Sequence, residues 1–346
     1  MTRLRVWLVG FGTVGRWLVR SLEAEGERIA RRHGAAIAVV GVASARDGFV
    51  HDARGFDLRA LAALAAGGGS LAELPGDLRR PTALDGIRAT EADALVEVAS
   101  SPARDGEPGV AHMREALARG LPVVTSNKWP VALHGVELAA LARRRGTAFR
   151  AESTVMSGTP LLSALTDGLA GATPLGLRGV LNATVNAILT AMTGGATYEE
   201  ALAAAQRAGL AERDPSADVD GHDAVAKLMI LSALVFGRQL RREDVACEGV
   251  SGVTPARIEA ARARGARVKH VATLGFAEPD GRGTVAAGVA PEEVGPDDPL
   301  ARVDGAANAV VFRARPVGEV TIAGPGAGPE LAGQGVLSDL IAVARA

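Results

Sequence analysis

Cysteine is nearly missing from this chain. Cys247 stands alone among 346 residues, so no disulfide can form within the chain and no cysteine-based zinc site can be built. That suits a reducing compartment, and the cytoplasm is the expected location. No stretch approaches the roughly 18 consecutive apolar residues of a membrane helix, so no membrane partner is expected. Charge is balanced: 38 Lys and Arg against 39 Asp and Glu leave a net −1, which provides no electrostatic reason to expect nucleic acid or an anionic surface. The six histidines are scattered rather than spaced as metal ligands. Neither a Gly-x-Ser-x-Gly elbow nor a His-Glu-x-x-His run occurs, which leaves hydrolase chemistry with little support. No internal repeat or low-complexity tract is evident.

What is present, 48% hydrophobic and 22% charged residues, is the composition of a globular chain long enough for two domains. Basic residues and a short apolar run at the N-terminus resemble a signal peptide, but the run is too short and glycines follow it, so a first strand is expected there. Through residue 150, strand-like runs (Leu4–Val9, Ile37–Ala43, Ala94–Val98, Pro122–Thr125) alternate with helix-like ones (Thr13–Arg31, Ala111–Arg119, Leu133–Arg144). This alternation predicts an α/β fold, a parallel sheet covered by helices. Residues 151–324 read differently: a helix after Pro160, a strand at Leu177–Leu181, three helical segments through Phe236, then strands at Val268–Ala277, Thr284–Val289, Asn308–Ala314 and Val317–Ile322. They form the expected second, α+β domain for substrate binding and dimerisation. Residues 325–346, with a last helix at Val336–Ala344, are expected to pack back on the first domain.

Gly10-Phe11-Gly12-Thr13-Val14-Gly15 follows the first strand and opens a helix, the context of a Rossmann-type dinucleotide fingerprint. One glycine allows the tight turn, the second lets backbone approach a pyrophosphate, and the third permits close helix packing, while the helix N-terminus favours the anion. The motif alone would also suit a Rossmann-like fold binding another nucleotide or nothing. At the end of the second strand, Ser44 and Arg46 suit the 2′-phosphate of NADP better than the ribose hydroxyls of NAD. Asp47, one step on, could reverse that preference, and Arg46 could be only a solvated charge. Lys128, in Ser126-Asn127-Lys128-Trp129-Pro130, follows another strand and so stands at the carboxyl edge of the sheet, where ligands of such folds bind, although by spacing alone a lone surface lysine fits equally well.

The segment from Glu212 to Lys227 carries the most chemistry. Glu212, Asp214, Asp218, Asp220, His222 and Asp223 precede Lys227, which enters a helix with only Ser232 as a further polar residue up to Phe236. A helix apolar on every face is a buried one, and a buried lysine needs a partner. Asp223 lies four residues earlier on the same face. The plain alternative is an exposed pair worth about 0.3–0.5 kcal/mol, with the preceding aspartates as helix caps on a solvated loop.

Taken in order, these segments resemble homoserine dehydrogenase. They are the glycine loop, Asn127-Lys128-x-Pro130, Glu152-Ser-Thr-Val-Met-Ser-Gly-Thr-Pro160, Leu181-Asn-Ala-Thr-Val-Asn186, the 212–227 run, Val303-Asp-Gly-Ala-Ala-Asn308, and Gly326-Ala-Gly328 before Ser338-Asp339-Leu340. The match spans nearly the whole chain. It implies reversible reduction of L-aspartate 4-semialdehyde to L-homoserine with NADP or NAD, by a homodimer. It implies Lys227 as general acid beside Asp223, with Lys128 at the junction of nicotinamide and substrate. Glu212, Asp218 and Thr184 would meet the substrate. The cofactor would meet Gly10 to Gly15, Ser44, Arg46, Ser100, Lys128 and Gly328. Glu152, Val155, Ser157 and Thr159 would hold a structural monovalent cation, Na+ or K+, largely through carbonyl oxygens. Neither a fused aspartate kinase nor an ACT domain is expected. Leu210, Ala183, Ala187 and the Pro-Glu-Leu-Ala run at 329–332 depart from the family pattern. They leave open a dehydrogenase of another small amino acid or aldehyde, or a silent NADP-binding sensor.

Overall fold

A computed structural model describes residues 2–276 and 285–346. The chain divides into two compact units, Met1–Gly158 with Gly328–Ala346, and Thr159–Ala327. The first carries β1 (Thr2–Val9), α1 (Thr13–His33), β2 (Ala35–Ser44), β3 (Gly48–His51), α2 (Leu58–Gly67), β4 (Leu78–Arg80), α3 (Ala83–Ala89), β5 (Ala94–Glu97), α4 (Gly109–Ala118), β6 (Val123–Thr125), α5 (Lys128–Arg145), β7 (Phe149–Arg150) and α6 (Ser153–Met156). Its seven-stranded sheet has the order β4-β3-β2-β1-β5-β6-β7. From β2 to β7 the neighbours run parallel, while β3 and β4 add an antiparallel edge. Val6 to Val9 are all buried, as a central parallel strand covered on both faces requires. The strand order reverses beside β1, so the carboxyl ends of β1, β2 and β5 frame the switch point at which ligands of open α/β sheets bind.

The boundary expected at 150/151 falls instead at Gly158/Thr159. Glu152 donates its backbone N–H to Asp339 Oδ2 and Ser153 its hydroxyl to the Ala332 carbonyl, which ties α6 to the C-terminal helix, Pro329–Arg345. That helix lays Val336, Leu337, Leu340 and Ala344 into the core against Leu18 and Leu22 of α1. The α5 helix begins at Lys128 rather than Leu133. Pro130 is tolerated there because a first-turn N–H has no partner within the helix, and His134, at φ −133°, marks a kink.

The second unit contains β8 (Thr173–Val180), α7 (Ala183–Thr193), α8 (Tyr198–Arg207), α9 (Ser216–Val219), α10 (His222–Val235), β9 (Ala246–Cys247), α11 (Pro255–Ala263), β10 (Arg267–Phe276), β11 (Val285–Val294), β12 (Ala307–Arg315) and β13 (Gly318–Pro325). Its sheet order is β13-β12-β8-β10-β11-β9, antiparallel except for the β9–β11 pair. The helix expected after Pro160 amounts to a short π-helical turn at Ala164–Gly168. The strand ends expected at Ala277 and Thr284 lie outside the described residues. Residues 224–233 of α10 are all buried, as its apolar composition requires. Among the described residues no helix is long and apolar enough to cross a membrane.

Candidate active site

In the first unit, a cavity of about 540 Å³ opens at the switch point, lined by Gly10 to Val14, Arg16, Ser44 to Asp47 and Val98 to Ser100. Gly10 has φ +107°, and a Cβ there would fall 2.4 Å from the Ala99 nitrogen. A Cβ on Gly15 would fall 2.1 Å from the Gly10 carbonyl oxygen. Both positions therefore admit only glycine if the loop is to keep its path. Gly12 differs: a Cβ there would meet nothing within 4 Å, because it faces the open cavity above the head of α1. No side chain caps that helix and its first turn has no acidic residue. Free N–H groups with a bare approach fit a dinucleotide pyrophosphate. Arg16, which sequence reasoning passed over, donates to the Phe11 and Ala65 carbonyls and braces the loop.

At the far end of the cavity the expected pairing of Ser44 with Arg46 is rearranged by Asp47. Its carboxylate accepts from Ser70 Oγ at 2.6 Å, from Ser44 Oγ at 2.9 Å and from Arg46 Nε at 3.1 Å. The Ser70 hydrogen bond above all, with those from Arg46 and Ser44, holds this carboxyl well below the usual carboxylate range against the opposing effect of burial. Arg46 also reaches the Gly69 carbonyl. Its charge is therefore already engaged, and the polar groups lining this end of the cavity include an anion.

Of the other expected cofactor residues, Ser100 lines the cavity, while Gly15, Lys128 and Gly328 do not. Gly15 serves helix packing, and Gly328, at φ +137°, caps the C-terminal helix. Lys128 is the first residue of α5, at the carboxyl end of β6 next to β5. Asn127 holds this turn by donating from Nδ2 to Ser101 Oγ at 2.8 Å.

In the second unit, Lys227 is 8% exposed. Its Nζ lies 2.9 Å from Asp223 Oδ2 and donates to the Leu181 carbonyl at 2.7 Å. The pair is thus buried rather than a solvated surface contact. Asn182 organises the aspartates: its Nδ2 donates to Asp218 Oδ1 at 2.7 Å and to Asp223 Oδ2 at 2.9 Å. Its Oδ1 accepts the Val185 N–H and so caps α7. No role was expected of Asn182, though an asparagine before a helical run is a recognisable cap.

Thr184 Oγ1 donates to the Leu210 carbonyl, which anchors the loop leading to Glu212. Glu212 itself is exposed, and no hydrogen bond or ion pair joins its carboxylate to this cluster among the described residues. Asp214 accepts the Ser216 N–H, a turn-forming role. Of the expected cation ligands, Glu152, Val155 and Ser157 belong to the first unit and Thr159 to the second. Ser157 is the single non-glycine residue at positive φ, +53°, among the described residues. Among those residues no cluster of three or more His, Cys, Asp or Glu could hold a metal ion.

Comparison with known proteins covers both halves. The homoserine dehydrogenase NAD-binding domain family matches residues 10–152, and the homoserine dehydrogenase family matches 160–341. An NAD(+)-dependent homoserine dehydrogenase of Pseudomonas canavaninivorans is 40% identical over 99% of this chain and 96% of its own. The crystal structure of a homoserine dehydrogenase from Thiobacillus denitrificans aligns with TM-score 0.82 and 35% identity, over 100% of this chain and 74% of that one. A hyperthermophilic archaeal homoserine dehydrogenase in complex with NADPH aligns with TM-score 0.80 and 30% identity, covering 98% and 97%. Fold, glycine loop and sequence agree along the whole length: this chain belongs to the homoserine dehydrogenase family and is an NAD(P)-dependent oxidoreductase.

Proposed function

We propose that this chain reversibly reduces L-aspartate 4-semialdehyde to L-homoserine with NAD(P)H, and that Lys227 delivers the proton. Held at the cavity over the Gly10–Gly15 loop, a nicotinamide cofactor would supply the hydride to the aldehyde carbon. The alkoxide left on that carbon then takes a proton from Lys227 Nζ. One observation carries this reading. An ammonium has three N–H groups, and Lys227 commits two of them, to Asp223 and to the Leu181 carbonyl. Among the described residues no third acceptor meets it, which leaves one N–H for a substrate oxygen. Asp223 pairs with the ammonium, and Asn182 holds both Asp223 and Asp218 in place. Asp218, Glu212 and Thr184 belong to the substrate's side in this proposal, and Lys128 to the junction with the nicotinamide. A structural monovalent cation at Glu152, Val155, Ser157 and Thr159 is also part of it, supported by the strained backbone at Ser157. So is a homodimer, supported by the half-exposed edge strand β13.

Steady-state turnover of aspartate semialdehyde with NADPH and NADH tests the activity. Homoserine assayed against other amino alcohols separates it from a dehydrogenase of another small substrate, and cofactor binding without turnover would point to a sensor.

Cofactor choice, in this proposal, is a balance between Arg46 as the 2′-phosphate contact and Asp47 as its restraint. The expected NADP preference rests on Arg46, and Asp47 both engages that guanidinium and repels a phosphate. Asp47→Ser should raise the ratio of kcat/KM for NADP over NAD roughly tenfold, equal to about 1.4 kcal/mol. Arg46→Ala should lower it. An unchanged ratio in both variants would remove this pair from cofactor selection.

A further inference from the structure

We infer that Asn308 is a positioning residue for Lys227, acting through the Leu181 carbonyl. The inference rests on Lys227 being the proton donor. β12 pairs antiparallel with β8, Ala309 opposite Val180, so Asn308 and Leu181 follow one step beyond the ladder. There the side chain replaces the backbone: Asn308 Nδ2 donates to the Leu181 carbonyl at 2.8 Å. That same oxygen accepts from Lys227 Nζ at 2.7 Å. A carbonyl has two lone pairs, and these two donors take both. The direction in which Leu181 presents its oxygen to the lysine is thus set from the other side by Asn308.

Asn308 is itself held. Asn186 Nδ2 donates to the carbonyls of Val303 and Ala307, and the buried Lys269 donates to the Val303 carbonyl and to Asp304 Oδ1. These contacts fix the turn just before Asn308. The residue is fully buried, and a side chain at Gly326 would place Cβ 2.3 Å from its Oδ1. That Oδ1 has no hydrogen-bond partner among the described residues. A buried, unpaired acceptor is destabilising, so an amide is a poor choice for packing alone. Its contribution lies in the donated hydrogen bond.

Asn308→Ala and the near-isosteric Asn308→Asp both remove that donor. Each should lower kcat by roughly 10–100-fold, the effect of misplacing a reacting group by about an ångström. The KM for cofactor should stay unchanged. The solvent deuterium isotope effect on kcat should rise, because proton delivery becomes slower relative to the other steps. Circular dichroism and cofactor binding establish folding, and if Asn308→Ala does not fold, Asn308→Asp decides. Wild-type kcat in a folded variant would overturn the inference, as would a loss of kcat with an unaltered isotope effect. Failure of both variants to fold would also overturn it, by making Asn308 a residue of the fold alone. Lys227→Ala run alongside separates the two levels. Near-wild-type turnover there removes Lys227 as donor, whereas loss there with silent Asn308 variants removes only Asn308.

Discussion

Lys227→Ala is expected to lose about 10²–10⁴-fold in kcat in both directions, the usual contribution of a general acid or base, with cofactor binding intact. The variant should lose stability, as a buried ion pair does when one partner is removed, but should still fold, because each acceptor that loses the ammonium keeps another donor. Asp223 keeps the Asn182 amide, and the Leu181 carbonyl keeps the Asn308 amide. The truncation therefore removes the transferable proton while the polar scaffold around it keeps its remaining bonds. Lys227→Arg is the sharper companion. A guanidinium can pair with Asp223, but it stays protonated at any workable pH and so cannot accept a proton from homoserine. Oxidation by Lys227→Arg should be as slow as by Lys227→Ala even though the ion pair is retained. Steady-state kinetics in both directions, with fluorescence titration of the cofactor, check these outcomes. Near-wild-type turnover in Lys227→Ala would exclude the residue from the chemistry.

Lys227 was legible because its chemistry clashes with its neighbourhood, a lone ammonium in an apolar helix, and Asp223 because it is close in sequence. The glycine loop was legible for a similar reason, since a close approach of backbone to backbone or to phosphate admits no side chain. Less legible were the groups that hold these residues. The Leu181 carbonyl lies 46 positions from Lys227 and 127 from Asn308, and no local pattern encodes such contacts. Arg46 reads as a free cation until Ser70, 23 residues on, is seen to secure Asp47 between them. In the fold, the β3–β4 edge escaped notice because its strands span only four and three residues. One of them, Leu78–Arg80, carries two arginines where an alternating pattern would be sought. The α11 helix, rich in alanine and arginine, shows little apolar stripe and is marked mainly by its cap at Thr254 and by Pro255.

A second large effect is expected at a pair that sequence alone did not reveal. Glu97, the last residue of β5, is fully buried, and its Oε2 lies 2.6 Å from His112 Nδ1 on α4. Its Oε1 accepts the Ala99 N–H at 3.0 Å. His112→Leu should cost roughly 3–5 kcal/mol, the penalty for leaving a buried charged group without its partner. The expected fall in Tm is roughly 6–20 °C for a unit of this size. Glu97→Gln should cost far less, about 1 kcal/mol. Its amide can still accept from Ala99 with its oxygen and donate to a His112 ring nitrogen in the other tautomer. The contrast matters for function because Val98 to Ser100 line the cofactor cavity, and the Glu97–Ala99 bond sets the path of that segment. His112→Leu should therefore also weaken cofactor binding, whereas Glu97→Gln should leave it near wild type. Thermal unfolding with and without cofactor measures both. Equal stability losses in the two variants would mean that packing volume, not the carboxylate's need for a partner, governs this site.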